Sequence, residues 1–217
     1  ARAAISAALH DLAGKRLGEP VWRLWGLDPA DAPRSTFTLG MAGAEETRAK
    51  ARQAAGRPVL KIKVGRPDDE ARLRAIRDEA PDALVYVDAN TAWTAKQALR
   101  LMPMLEEMGV AFVEQPLHPS DREGLRLLRR QARLPIIADE SCETAADVAA
   151  LVGAVDGINI KLAKAGSLLE ARRMAELARA HGLLVMLGCM LESTLGIAAA
   201  VQLAPLMDYV DLDGALL

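Results

Sequence analysis

The sequence predicts an α/β fold, a (β/α)7β modified TIM barrel, and two observations support this prediction. Short apolar runs rich in Val, Ile and Leu recur about every 25 residues, with helix-like segments between them. Run after run also closes on an acidic or basic residue. Such runs are typical of parallel strands buried on both faces, where an unpartnered charge is costly. Charges in register at strand ends therefore indicate an active site at the carboxyl end of a barrel.

Eight strand-like runs carry this prediction. They cover residues 35–41, 59–64, 84–89, 110–115, 135–140, 157–162, 183–188 and 208–213. Seven helix-like segments separate them; the one after the second run has Asp68, Asp69 and Glu70 in its first turn and stops at Pro81. This alternation implies right-handed crossovers and a parallel sheet, which eight strands close into a barrel. An open doubly wound sheet is the alternative, and the lack of a Gly-rich phosphate fingerprint after the first strand disfavours it.

Residues 1–33 precede the first predicted strand. They are predicted to form a helix over 1–13 and a connector punctuated by Gly and Pro, the tail of an earlier domain, with the barrel over 34–217. We therefore expect the chain to be a piece of a longer protein.

Composition excludes several classes of function. The chain has 217 residues, about half of them apolar, and a formal net charge of −2, which gives no electrostatic basis for binding nucleic acid or an anionic membrane. It has neither an apolar run of membrane-spanning length nor a signal-peptide layout, so a cytoplasmic location is expected. Cys142 and Cys189 match no metal or redox spacing and are expected to be reduced thiols.

Three lysines are candidates for acid/base chemistry. Lys61 and Lys63 share one face of the second strand because side chains alternate, and Lys161 lies in the sixth strand. Two neighbouring ammonium groups disfavour each other's charged form, so a lysine there can serve as a general base near neutral pH. The chain has only seven Lys against twenty Arg, and arginine could not lose the proton. The alternative is a solvated strand end.

Three acids are candidates for metal binding. Asp88, Glu114 and Asp139 end three consecutive strands, so their carboxylates are expected to converge. Converging carboxylates repel one another unless a cation lies between them, and hard oxygen ligands suit Mg²⁺, or Mn²⁺, better than zinc. The alternative is that each acid caps a helix or pairs with Arg. Asn90 is equally well interpreted as a support for a ligand or as a turn residue.

Barrel order predicts how these groups face one another. Strands 2 and 6 lie opposite in a ring of eight, so Lys63 and Lys161 are expected on opposing walls with the three acids between them. Asp211 and Asp213 of strand 8 should face the metal. A substrate carboxylate on the metal would place its α-carbon between two amines, and an α-proton could leave one face and return on the other through an enediolate.

These residues resemble the enolase superfamily, in particular its muconate-lactonizing-enzyme subgroup. The matching elements are LKIKVG, VDAN, VEQP, ADES and NIKLAKAGS, in the right order over nearly the whole chain. The resemblance implies one Mg²⁺ held by Asp88, Glu114 and Asp139, with Lys63 and Lys161 as the acid/base pair and Lys61 tuning Lys63. It also implies an α+β capping domain, of which residues 1–33 would be the C-terminal remnant.

Within the subgroup, GCMLEST and DLDG resemble dipeptide epimerases of the L-Ala-D/L-Glu type. That resemblance implies an isomerase acting on a small dipeptide, with Asp211 and Asp213 on its α-ammonium group and Lys61 also binding the substrate. The alternative for Asp211 and Asp213 is a strand-end pair that caps a turn. The alternatives are another reaction of the subgroup, namely a cycloisomerase, an o-succinylbenzoate synthase or an N-acylamino acid racemase. A Schiff-base aldolase using Lys161 and a non-catalytic barrel are more distant rivals. The sequence does not determine an oligomeric state, although a homo-oligomer is compatible with it.

Overall fold

The computed structural model describes residues 1–216, and its eight strands belong to one sheet in chain order. The strands are β1 Phe37–Leu39, β2 Val59–Lys63, β3 Leu84–Asp88, β4 Val110–Glu114, β5 Ile136–Ala138, β6 Gly157–Lys161, β7 Leu184–Gly188 and β8 Tyr209–Asp211. Each lies within a predicted run and is shorter than it. The alternation of parallel strands with helices confirms the predicted (β/α)7β fold class.

Among residues 1–216, ten α-helices accompany the strands. They are α1 Arg2–Leu17, α2 Val21–Leu24, α3 Ala44–Gln53, α4 Asp69–Glu79, α5 Ala95–Glu107, α6 Arg122–Gln131, α7 Ala145–Leu151, α8 Leu162–Ala165, α9 Leu168–Ala180 and α10 Thr194–Val201. Seven of them follow the first seven strands as predicted. The sequence analysis missed the four-residue helices α2 and α8, which are too short to show a helical period.

The chain divides into two compact units. The β1–β5 unit comprises residues 36–141 and 153–156, and the β6–β8 unit comprises residues 1–35, 142–152 and those from 157 onward. The domain boundary predicted between residues 33 and 34 stays a prediction. Among residues 1–216, no helix is long and apolar enough to cross a bilayer.

In the β1–β5 unit, neighbouring strands pair in parallel in chain order. Lys63 is level with Asp88 in this ladder, and Asp88 is level with Glu114. Ile62 and Val64, which alternate with the two lysines on β2, are buried apolar residues. The register therefore brings the charged ends of β2, β3 and β4 to the same edge of the sheet.

The β6–β8 unit is also built on parallel pairs. Gly188 at the end of β7 is level with Lys161 of β6 and with Asp211 of β8. The segment before β1 runs beside β8, because Ser35 bridges Val210 and its Oγ accepts a hydrogen bond from the Leu212 N–H at 3.1 Å. Helix α1 contacts α8, α9 and α10 of the same unit.

Candidate active site

Five charged residues at or near the ends of strands β2 to β5 are grouped as the β2–β5 cluster: Lys61, Lys63, Asp88, Glu114 and Asp139. Ion pairs join the first four of them. Asp88 and Glu114 are fully buried, and Lys61 and Asp139 are 3% and 2% exposed. Burying this many charges is costly unless they compensate one another.

Lys61 provides part of this compensation. Its Nζ lies 3.0 Å from Asp88 Oδ2 and 2.8 Å from Glu114 Oε2. The ammonium group also lies 5.8 Å from the centre of the Tyr86 ring, within the range of a cation–π contact. Lys61 thus bridges the acidic ends of β3 and β4 from inside the unit.

Lys63 occupies the more open side of the same cluster. Its Nζ donates to Asp88 Oδ2 and to Asn90 Oδ1, both at 2.7 Å. The Lys63 side chain is 29% exposed, whereas that of Lys61 is 4% exposed. A small molecule can therefore reach Lys63, while Lys61 lies behind it.

Asn90 links this lysine to a further acid. Its Nδ2 donates to Glu140 Oε1 at 3.1 Å, and its backbone N–H donates to Asp88 Oδ1 at 2.9 Å. Asn90 has a φ of 41°, a left-handed conformation uncommon for residues other than glycine. Asn90 is thus a turn residue whose side chain contacts Lys63 and Glu140, and its function as a support for a metal ligand stays a prediction.

The charge state of Asp88 follows from these contacts. Burial acts to raise the pKa of this carboxyl, but the ammonium groups of Lys61 and Lys63 outweigh it. Hydrogen bonds from Lys63 and the Asn90 N–H act in the same direction, so the pKa of Asp88 lies below its ordinary value. Asp88 is a carboxylate at neutral pH.

The donor set of the cluster fits a divalent cation in its chemistry. Asp88, Glu114 and Asp139 are buried carboxylates that come from three consecutive strands, and hard oxygen ligands of this kind suit Mg²⁺ or Mn²⁺. Among residues 1–216, however, no three His, Cys, Asp or Glu side chains form a ready-made ligand set. The ammonium groups of Lys61 and Lys63 contact Asp88, and that of Lys61 also contacts Glu114, so the lysines compensate the negative charge of these two carboxylates.

Sequence reasoning overlooked Gln115, which follows Glu114. It is fully buried and has a φ of 35°, and its side-chain Oε1 accepts a hydrogen bond from the Asp139 N–H at 2.9 Å. Its position between Glu114, which ends β4, and Pro116 could have indicated this function. A side-chain amide that continues a buried strand needs hydrogen-bond partners inside the protein.

The β6–β8 unit holds the remaining predicted residues. Lys161 ends β6 and is 7% exposed, while Asp211 and Asp213 are each 4% exposed. Gly188 separates Lys161 from Asp211 in the ladder. A Cβ at Gly188 would lie 2.6 Å from Asn159 Oδ1, so the absence of a side chain there makes room for the buried Asn159 amide.

Cys189 lies close to Asp211, which ends β8, and to Asp213 just after it. Burial is the main cause that raises the pKa of its thiol to about 11, and the carboxylates of Asp211, Asp213 and Glu192 add to the rise. A hydrogen bond with the Gly214 backbone opposes it. Cys189 is therefore a neutral thiol at physiological pH, which disfavours a nucleophilic function.

The stability of the protein should fall at acidic pH partly through Asp88. Because its pKa is depressed on folding, its contribution is fully present above the unfolded value of about 3.9 and is lost as the pH falls through the folded value. With divalent ions chelated, urea unfolding between about pH 7 and pH 2 should show a steeper acidic loss of stability for the wild type than for Asp88→Asn. Parallel profiles would contradict this assignment.

Comparison with known proteins gives the same family as the residues do. The family model described as "Enolase C-terminal domain-like" matches residues 44–212. A Bacteroides thetaiotaomicron protein named L-Ala-D/L-Glu epimerase is 43% identical over 219 residues, covering all of this chain and 57% of the relative. A Maribacter L-Ala-D/L-amino acid epimerase is 44% identical over 214 residues, covering 99% of this chain and 63% of the relative.

A solved structure extends the similarity to three dimensions. The dipeptide epimerase from Methylococcus capsulatus, in complex with Mg and the dipeptide L-Arg-D-Lys, superposes with a TM-score of 0.92 at 40% identity. The match covers 99% of this chain and 64% of that one, so the chain spans less than two thirds of the length of each of these relatives. The predicted superfamily resemblance is confirmed: the chain belongs to the enolase C-terminal domain-like family.

Proposed function

We propose that the protein containing this chain is a Mg²⁺-dependent dipeptide epimerase of the L-Ala-D/L-Glu type. The observation that carries the proposal is the β2–β5 cluster, in which two lysines lie against buried strand-end carboxylates. Relatives that cover the whole chain at 43–44% identity bear the names of epimerases of this kind. The reaction would invert one stereocentre by moving a proton from one face of the α-carbon to the other, through an enediolate.

Lys63 is the proposed acid/base group on one face of the substrate. Its amine is the accessible one of the pair, with the side chain 29% exposed. The contacts with Asp88 and Asn90 fix its Nζ at the edge of the cluster. Lys61 is proposed to tune Lys63, since the ammonium groups of both lysines contact the same Asp88 oxygen, at 3.0 Å and 2.7 Å.

Lys161 is the proposed acid/base group on the other face. It ends β6 as Lys63 ends β2, and it is nearly buried. Lysine can release a proton near neutral pH in a partly buried setting, which arginine cannot do. The solved dipeptide complex of a relative that superposes at a TM-score of 0.92 supports this substrate class.

Asp88, Glu114 and Asp139 are proposed to hold the divalent cation. When bound, Mg²⁺ supplies the positive charge that stabilises an enediolate as the α-proton leaves. The residues of this chain move the proton and align the amine of Lys63, and the two lysines keep Asp88 ionised.

Asp211 and Asp213 are proposed to bind the α-ammonium group of the dipeptide. Both are nearly buried, and both act to raise the pKa of the Cys189 thiol, so their negative charges are felt at the end of β7. A cationic group of the substrate is a suitable partner for two such acids.

Replacing either proposed base should suppress the reaction. In the full-length protein, Lys63→Ala and Lys161→Ala should each lower the epimerisation rate by about 100- to 10,000-fold, the usual contribution of a general acid or base. The measurement is the conversion of L-Ala-L-Glu to L-Ala-D-Glu, read by chiral chromatography, because inversion needs both bases whereas deuterium exchange on one face needs only one.

The matched control for these variants is Lys50→Ala, which removes a lysine that forms an ion pair with Glu46 on helix α3. We expect Lys50→Ala to epimerise the dipeptide at the wild-type rate. No epimerisation by the wild type with any dipeptide of a broad library, or full activity in either base variant, would count against the proposed function.

Asp213→Asn tests the substrate class separately. Loss of a hydrogen bond between charged groups should lower kcat/KM for the dipeptide by about 10- to 150-fold, from the 1.5–3 kcal/mol typical of such bonds. Asp31→Asn, at an exposed site, is the control. If Asp213→Asn keeps the full kcat/KM for the dipeptide, Asp213 does not bind the α-ammonium group, and the assignment of the substrate class loses this support.

A further inference from the structure

Gln115 stands out among the residues that the proposed reaction does not use. It follows Glu114 directly, is fully buried and has a φ of 35°, in the left-handed region that side chains other than glycine seldom adopt. Such a conformation persists only where the surrounding contacts compensate for it, and it is often found at functional sites.

The side-chain amide of Gln115 uses its full hydrogen-bonding capacity. Its Oε1 accepts from the N–H groups of Asp139 at 2.9 Å and Ser141 at 3.1 Å. Its Nε2 donates to the Leu117 carbonyl at 2.7 Å and to Ser141 Oγ at 2.8 Å. A primary amide accepts two and donates two hydrogen bonds, so all four positions are occupied.

The backbone of Gln115 adds links to two other strand-end segments. Its N–H donates to the Ile137 carbonyl of β5 at 2.8 Å, and its carbonyl accepts from the Thr91 N–H, after β3, at 2.9 Å. Gln115 lies directly after β4, and its hydrogen bonds connect it to the segment after β3, to β5 and to the segment after β5. These three strands carry the three acids proposed as metal ligands.

We propose that Gln115 is a positioning residue, which holds Glu114 and Asp139 in the mutual arrangement that a divalent cation requires. The inference rests on the proposed function, because it assigns Glu114 and Asp139 to the metal. The hydrogen bond from the Asp139 N–H to the Gln115 side chain fixes the backbone of Asp139, one proposed metal ligand. Glu114, the other, is the residue directly before Gln115 in the chain. An apolar side chain of similar size would fill the same space and leave the N–H groups of Asp139 and Ser141 without this acceptor.

The test uses Gln115→Met in the full-length protein with Mn²⁺ as the probe. Isothermal titration calorimetry should show an affinity for Mn²⁺ about 10- to 100-fold weaker than that of the wild type, the usual effect of losing a residue that supports metal ligands. Binding is measured without substrate, so this readout does not depend on activity.

Two controls separate positioning from general stability. Leu128→Ala opens a cavity at a fully buried site on α6 and should lower the thermal midpoint without changing Mn²⁺ affinity. Gln131→Met makes the same chemical change at an exposed position of α6 and should leave both quantities unchanged.

Ser141→Ala provides a graded second variant in case Gln115→Met fails to fold. It removes one of the four side-chain hydrogen bonds and should weaken Mn²⁺ binding by about 3- to 10-fold. In the double variant, the combined loss should be smaller than the product of the two, since both residues belong to one network.

The outcomes separate the two proposals. If the wild type binds Mn²⁺ and a folded Gln115→Met binds it equally well, the positioning inference is wrong. If Gln115→Met does not fold, Ser141→Ala decides: an affinity equal to that of the wild type also makes the inference wrong. An equal loss in Leu128→Ala also overturns it. Failure of the wild type itself to bind Mn²⁺ overturns the proposed function, and the inference that rests on it.

Discussion

The arrangement of this site depends on one buried ion-pair network, in which the Lys61 ammonium group bridges the carboxylates of Asp88 and Glu114. Two fully buried carboxylates at the ends of neighbouring strands would repel each other without a cation between them. Because Lys61 supplies that positive charge from inside the unit, Lys63 is free to lie at the accessible edge. The different functions proposed for Lys61 and Lys63 thus follow from their different degrees of burial.

The β6–β8 unit contributes a different chemistry. Its acids, Asp211 and Asp213, raise the pKa of a neighbouring thiol, and Gly188 leaves space for the amide of Asn159 two residues before Lys161. A chain that spans 57% and 63% of two epimerase relatives carries all the residues of the proposed proton transfer.

Much of the fold and the candidate site could be predicted from the sequence. The eight strands were predictable because apolar runs closed by charges repeat at a regular interval, and the charges at 61, 63, 88 and 114 lie together because parallel register brings strand ends to one edge. The pairing of Lys61 with both acids was not predictable, since it depends on side-chain reach between strands. A turn at Asn90 was one of two interpretations, but the left-handed conformation of Gln115 was not predicted, because glutamine seldom adopts it.

The most direct test of the account is a crystal structure of the full-length protein soaked with Mn²⁺, in which anomalous scattering locates the ion. We predict one strong anomalous peak within bonding distance of carboxylate oxygens from Asp88, Glu114 and Asp139, with the amine of Lys63 beside it. A peak bound elsewhere, or three carboxylates that share no ion, would contradict the account at its centre.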